Sequence, residues 1–259
     1  MLARVDLKKE DEIMPKQVVV FAMWCIGLGV LVSHPVSAKQ NAVSRAEVKE
    51  TPAKFFQYGL TPDRDGIIIT RYLGKGIAVV LPSQIDGLPV VEVATKAFYG
   101  CVSLVRVSLP SSVRMIGQHA FDGCTKLARI ELPDGLREIR HHAFHKCVSL
   151  AGIVFPRSLQ VIGQDVFSSC ESLVDVVLPN SVKEIGSGAF RDCAELASVR
   201  LPVGVKNLAD GLFEGCRNLV ELGNLPEKVS FGVGVFVGCY RLPDVLKRSV
   251  RKLGYKGEF

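Results

Sequence analysis

Four things are missing from this sequence, and each closes a class of function. No G-x-S-x-G, H-E-x-x-H or phosphate-loop pattern occurs, so the short signatures of hydrolase, zinc-protease and nucleotide chemistry are absent. No two cysteines of the repetitive part lie closer than 23 residues, which removes the paired spacing of a zinc site. No dense Lys/Arg run with interleaved aromatics is present, so nucleic acid is not an expected partner. The apolar run from Val18 to Val32 is shorter than the roughly 20 residues that span a bilayer. The net charge of +6 is a mild basic excess spread along the chain. It suits an acidic partner or an anionic surface without demanding one.

What the sequence does have is a period. Cys101, Cys124, Cys147, Cys170, Cys193, Cys216 and Cys239 fall every 23 residues without a slip. Three residues before each sits a phenylalanine, from Phe98 to Phe236, and three after each sits a leucine, from Leu104 to Leu242. A fixed period in this range marks a stacked repeat architecture. The 259 residues then form one elongated domain rather than two globular ones, because each copy touches only its neighbours.

Taken in order, residues 1–38 read as an N-terminal extension plus a signal peptide. Lys16, the apolar run and the small residues Val36-Ser37-Ala38 predict export with cleavage after Ala38. Translation from Met14 would account for the polar stretch before it. Ala22-Met23-Trp24 ahead of Cys25 does not fit a lipoprotein signal, so no lipid anchor is expected there. Residues 39–54 read as a mobile linker. Residues 55–84 read as an N-terminal strand cap, with Ile67–Tyr72 and Ile77–Leu81 joined as a hairpin through Gly74-Lys75-Gly76. The repeats occupy 85–242. In the last segment, 243–259, Asp244 opens a helix to about Lys252 that caps the stack. Val245, Leu246 and Val250 are expected to face the last coil, and Lys247, Arg248, Arg251 and Lys252 to face water. A basic amphipathic helix of this kind could instead touch a membrane surface, but an open solenoid end needs cover.

Within each copy, L-x-x-[IV]-x-L-P alternates in period two and reads as a short strand, ended by a proline that cannot donate to a ladder. V-x-x-I-G starts the return leg, and Ala-Phe follows in a tight turn or single helical turn with the ring inward. The whole pattern, C-x-x-L-x-x-[IV]-x-L-P-x-x-[VL]-x-x-I-G-x-x-A-F-x-x-C, resembles the treponeme-type or BspA-like leucine-rich repeat of bacterial surface proteins. The resemblance covers about Leu81 to Leu242. It implies an α/β repeat solenoid: a right-handed leucine-rich-repeat coil with a parallel sheet on its concave face. It also implies exported proteins that bind other proteins, often as adhesins or host-contacting molecules, and it carries no catalytic residues.

The repeat cysteines read as a column of buried free thiols acting as small hydrophobes, because parallel side chains in successive coils are poorly aimed for disulfides. His141, His142 and His145 cluster on one phenylalanine turn and read as an exposed turn that tolerates histidine rather than a metal or pH-sensing site. No metal and no cofactor are expected. Specificity must lie on exposed strand positions, five and seven residues after cysteine: Arg106, Ser108, Arg129, Glu131, Gly152, Val154, Asp175, Val177, Ser198, Arg200 and Glu221, with Gly223 ending the series. The ends of this face are polar and mixed in charge, and its middle is small and apolar, which suits a protein contact. A second exposed row, Arg114, Arg137, Gln160, Lys183 and Lys206, is mostly basic and reads as a solvated face. The expected function is an exported, non-enzymatic protein-binding module in the periplasm, on the surface or secreted. The alternative is an envelope scaffold whose apolar strip closes a homo-oligomer.

Overall fold

The computed structural model describes residues 49–259. The expected signal segment, Cys25 and most of the linker lie outside the described residues. The part of the linker that is described is not loose. Thr51 donates its backbone N–H to the Val80 carbonyl, its hydroxyl accepts from Val80 N–H, and the Glu50 carboxylate accepts from Ser83 N–H.

The repeats form a solenoid held by two parallel ladders of short strands. The first ladder is built from L-x-x-[IV]-x-L-P: Ala78–Val80, Arg106–Ser108 and Arg129–Glu131, then Asp175–Val177, Ser198–Arg200 and Glu221–Gly223. The second is built from V-x-x-I: Ile67–Tyr72, Leu88–Val93, Met115–Ile116, Glu138–Ile139, Val161–Ile162 and Glu184–Ile185, then Asn207–Leu208 with Ser230–Phe231. Each ladder is interrupted once. Among the described residues helix is confined to Ala53–Phe55 and Asp244–Lys252, so the coils themselves are strand and turn.

Stacking puts like on like. Rings of successive phenylalanines from Phe121 to Phe236 lie nearly parallel at 5.3–6.0 Å, and all seven are fully buried. Hydrogen-bonded strands repeat at about 4.8 Å. The coils therefore splay slightly toward the phenylalanine side, and the strands take the inner, concave side of the bend. The glycine of V-x-x-I-G has a steric cause. A methyl group added at Gly117 or Gly163 would come within 2.7 Å of backbone in the preceding coil, so only a missing side chain allows that approach.

The seven phenylalanine turns each use two residues in the left-handed region. One lies five before cysteine, as at His119, His142 and Asp165, and the other lies just before it, as at Lys146 and Ser169.

The N-terminal hairpin is not the one expected. Ile67–Tyr72 pairs antiparallel with Phe56–Leu60, while Ala78–Val80 joins the first ladder beside Arg106–Ser108. Gly74-Lys75-Gly76 turns a corner between ladders instead of reversing a hairpin. The segment is thus an irregular first coil, in which Tyr72 stacks on Phe98 at 5.2 Å and fills the ring position. At the other end the helix Asp244–Lys252 buries Val250, but Val245 is exposed, a correction to the expected inner face. Cover comes from residues beyond the helix. Tyr255 meets Phe236 edge-on at 5.2 Å, and Phe259 lies beside it, under Lys247 and Arg251.

Candidate protein-binding face

The first ladder sets an outward row of side chains at the positions five and seven after each cysteine. The intervening residues, Val107, Ile130, Val176, Val199 and Leu222, are buried. Arg106, Arg129, Glu131, Gly152, Val154, Asp175, Val177, Arg200 and Glu221 are exposed, and Ser108, Ser198 and Gly223 are partly so. The alternation read from the sequence therefore holds in these five coils, while Ile153 of the middle coil is only partly buried.

The ladder stops at the middle coil. Gly152 keeps only an isolated bridge to Asp175, and residues 151–155 form no strand. Two residues account for this. Gly152 brings no side chain to the ladder and weakens strand formation. Phe155 puts a ring where most other coils have leucine, edge-on to Phe167 at 5.7 Å. The interruption opens a cleft of about 670 Å³ whose lining includes Arg129, Glu131, Gly152, Val154 and Asp175. Val154 is 85% and Val177 60% exposed, a large apolar display at the edge of the interruption. The cleft contains no histidine, cysteine, serine or lysine. It offers shape and a mixed polar and apolar surface, with the carboxylates of Glu131, Asp134 and Asp175 and the guanidinium of Arg129 as its charged groups.

A further row escaped the sequence reading. Four residues after each cysteine stand Val105, Ala128, Ala151, Val174, Ala197 and Val220. All are exposed except Ala197, which is half-buried. They run beside the candidate residues and widen the apolar strip. The signal was available, because an apolar residue recurs at one position that no core position requires. Charges on the face are lightly tied: Arg129 meets Glu131 at 3.3 Å, and Ser108 donates to Glu131 at 3.3 Å.

The cysteine column does more than fill space. Sγ of Cys124, Cys147, Cys170, Cys193, Cys216 and Cys239 each donates to the phenylalanine carbonyl 26 residues earlier, at 3.0–3.2 Å. The same carbonyl accepts the backbone N–H of its own coil's cysteine, as Phe121 does from Cys124. All seven thiols are free, and all but Cys101 are buried. Burial pushes Cys193 and Cys239 up to about 12. Cys101 goes the other way. The adjacent Cys124 thiol, which can hydrogen-bond its thiolate, lowers it most; burial opposes this and Arg71 assists.

The histidine turn is not simply exposed, as expected, but is part of a two-coil cluster. His119 stacks on His142 at 4.7 Å. The largely buried Asp122 accepts from Nδ1 of His119 at 2.8 Å and of His145 at 3.1 Å. His142 Nε2 lies 4.0 Å from Asp165, and its Nδ1 is buried without a hydrogen-bond partner. His141 faces elsewhere, with Nδ1 accepting from Gln164 N–H. Among the described residues no group of three or more His, Cys, Asp and Glu side chains could hold a metal ion.

Comparison with known proteins agrees with this geometry. The family model described as a BspA type leucine rich repeat region matches residues 91–220 in six copies, half of the chain, and the protein belongs to that family. A solved leucine-rich repeat protein from Bacteroides ovatus is 29% identical, with a TM-score of 0.68. The match covers 75% of this chain and 52% of that one, so the chain spans about half the length of that relative. A leucine rich cell surface protein from Faecalibacterium prausnitzii is 18% identical, with a TM-score of 0.30, over 75% of this chain and 93% of its own. The pneumococcal vaccine antigen PcpA is 18% identical, with a TM-score of 0.44, over 75% and 80%. At those scores the last two carry no argument about this chain. No curated protein matches.

Proposed function

We propose that this protein is an exported, non-enzymatic binding module that engages a protein partner through the exposed face of its first strand ladder. The reading covers adhesion as well as contact with host or envelope proteins. One observation carries it. In an otherwise regular array the ladder stops at Gly152, and the gap presents Val154 and Val177 beside a cleft rimmed by Arg129, Glu131 and Asp175. An apolar centre with a polar rim is the anatomy of a protein contact. The buried side chains are the repeated ones and are ill suited to specify one partner.

Export rests on the basic start, apolar run and Val36-Ser37-Ala38 of the N-terminal segment. N-terminal sequencing of the mature protein from its producing cells should begin at Lys39; an intact N-terminus on protein held inside the cell would contradict it. For the binding face, affinity capture with the parent chain should retain a partner that Val154→Arg and Val177→Arg variants lose. Equal retention by folded variants would move the site off this face.

A further inference from the structure

We propose that a second copy of this chain is a partner of the first-ladder face, docked antiparallel about a twofold axis lying between the coils of Gly152 and Asp175. The inference rests on the reading of that face as a binding surface and names what it fits. A twofold axis in the contact plane, perpendicular to the coil stack, sets every row of residues against the same row reversed. In this register Arg106 meets Glu221, Glu131 meets Arg200, and Val154 meets Val177.

The neighbouring rows agree. Two positions after cysteine, Lys126 meets Glu195; four positions after, valine and alanine meet only valine and alanine. All of these charged residues are exposed. No like charges are brought together in these four rows, while three sets of opposite charges are, each occurring twice by symmetry. Sliding one copy by a single coil in either direction leaves one opposite-charge set, Arg129 with Asp175 or Arg129 with Glu221. The register is therefore specified by charge, and the apolar centre supplies the burial. Six coils at about 4.8 Å extend the face to roughly 29 Å along the stack.

Sedimentation of the full chain tests this by charge exchange. The parent should sediment as a dimer. Glu131→Arg alone and Arg200→Glu alone should each weaken the dimer by about tenfold or more, since each sets like charges against each other twice. The combined variant should recover the parent's affinity, which a merely structural loss would not do. Circular dichroism verifies that each variant is folded. A parent still monomeric at about 100 μM, single exchanges without effect, or a combined variant no better than the singles would each overturn the proposal. Its failure is distinguishable from failure of the face itself. A monomeric parent that loses a foreign protein on Val154→Arg keeps the face and rejects the second copy.

Discussion

Cys101 and Cys124 occupy the same repeat position and have opposite chemistry. Cys124 is buried and donates to the Phe98 carbonyl, whereas Cys101 begins the column, half-exposed and with no phenylalanine carbonyl 26 residues before it to receive its proton. Reactivity follows the thiolate. In the native protein at mildly alkaline pH, iodoacetamide should therefore label Cys101 well before any other repeat cysteine, as read by peptide mass spectrometry. Labelling of Cys170 or Cys193 at a similar rate would mean that the column is open to solvent.

His142 carries a pH dependence whose sign can be worked out. Burial lowers its pKa from the usual 6.5; Asp165 opposes this, His119 and His145 add to it, and Asp122 again opposes it. The unfolded chain then binds the proton first as pH falls, so stability present at neutral pH is lost on going below about 6.5. The melting temperature should drop between about pH 7.5 and pH 5.5, above the range of ordinary carboxylates. His142→Asn keeps a residue type that tolerates the left-handed backbone and should flatten that slope. A parent with a flat profile, or a variant with an unchanged one, would count against the cluster as the cause.

At the scale of elements, the phenylalanine column is the structural axis, and its members are not equal to the cap rings. Phe167 is stacked between Phe144 at 5.4 Å and Phe190 at 5.6 Å. Phe167→Ala should cost about 3–5 kcal/mol, seen as a lowered urea midpoint. A cost below about 1 kcal/mol would show that neighbouring coils collapse into the gap.

The elements also show what a sequence can disclose. The buried frame was legible because a 23-residue period forces equivalent residues to stack, and Phe98 to Phe236 have no alternative location. The alternation at Arg106-Val107-Ser108 and its counterparts was legible for the same reason. The N-terminal pairing was not. Tyr72 takes a ring position 26 residues before Phe98 rather than 23, so this first coil falls out of frame. Tyr255 and Phe259 lie beyond the last repeat, with no period to mark them as cover. His119 was missed because its partner His142 is one coil away, a relation visible only once the register is known.

The whole molecule is a short linear array, so its stability is a sum of coil and neighbour terms while its specificity is local. The candidate residues were legible as a face, since their exposure follows from strand alternation. The interruption at Gly152 was not, because it depends on how Phe155 seats against Phe167 in three dimensions. This interruption adds a cleft to the apolar middle of the face. Among the described residues no helix is long and apolar enough to cross a membrane, and the basic residues Lys247 and Arg251 are engaged over the Phe259 ring at the cap.

The central claim is that recognition occurs at the interrupted first ladder. Its most direct measurement is quantitative affinity capture by the parent, by Val154→Arg, and by Lys183→Glu, which changes the exposed face of the second ladder instead. Retention should fall at least about tenfold for Val154→Arg, since a charge is driven into an apolar contact, and should hold for Lys183→Glu. Retention lost with Lys183→Glu and kept with Val154→Arg would contradict the account and assign recognition to the opposite ladder.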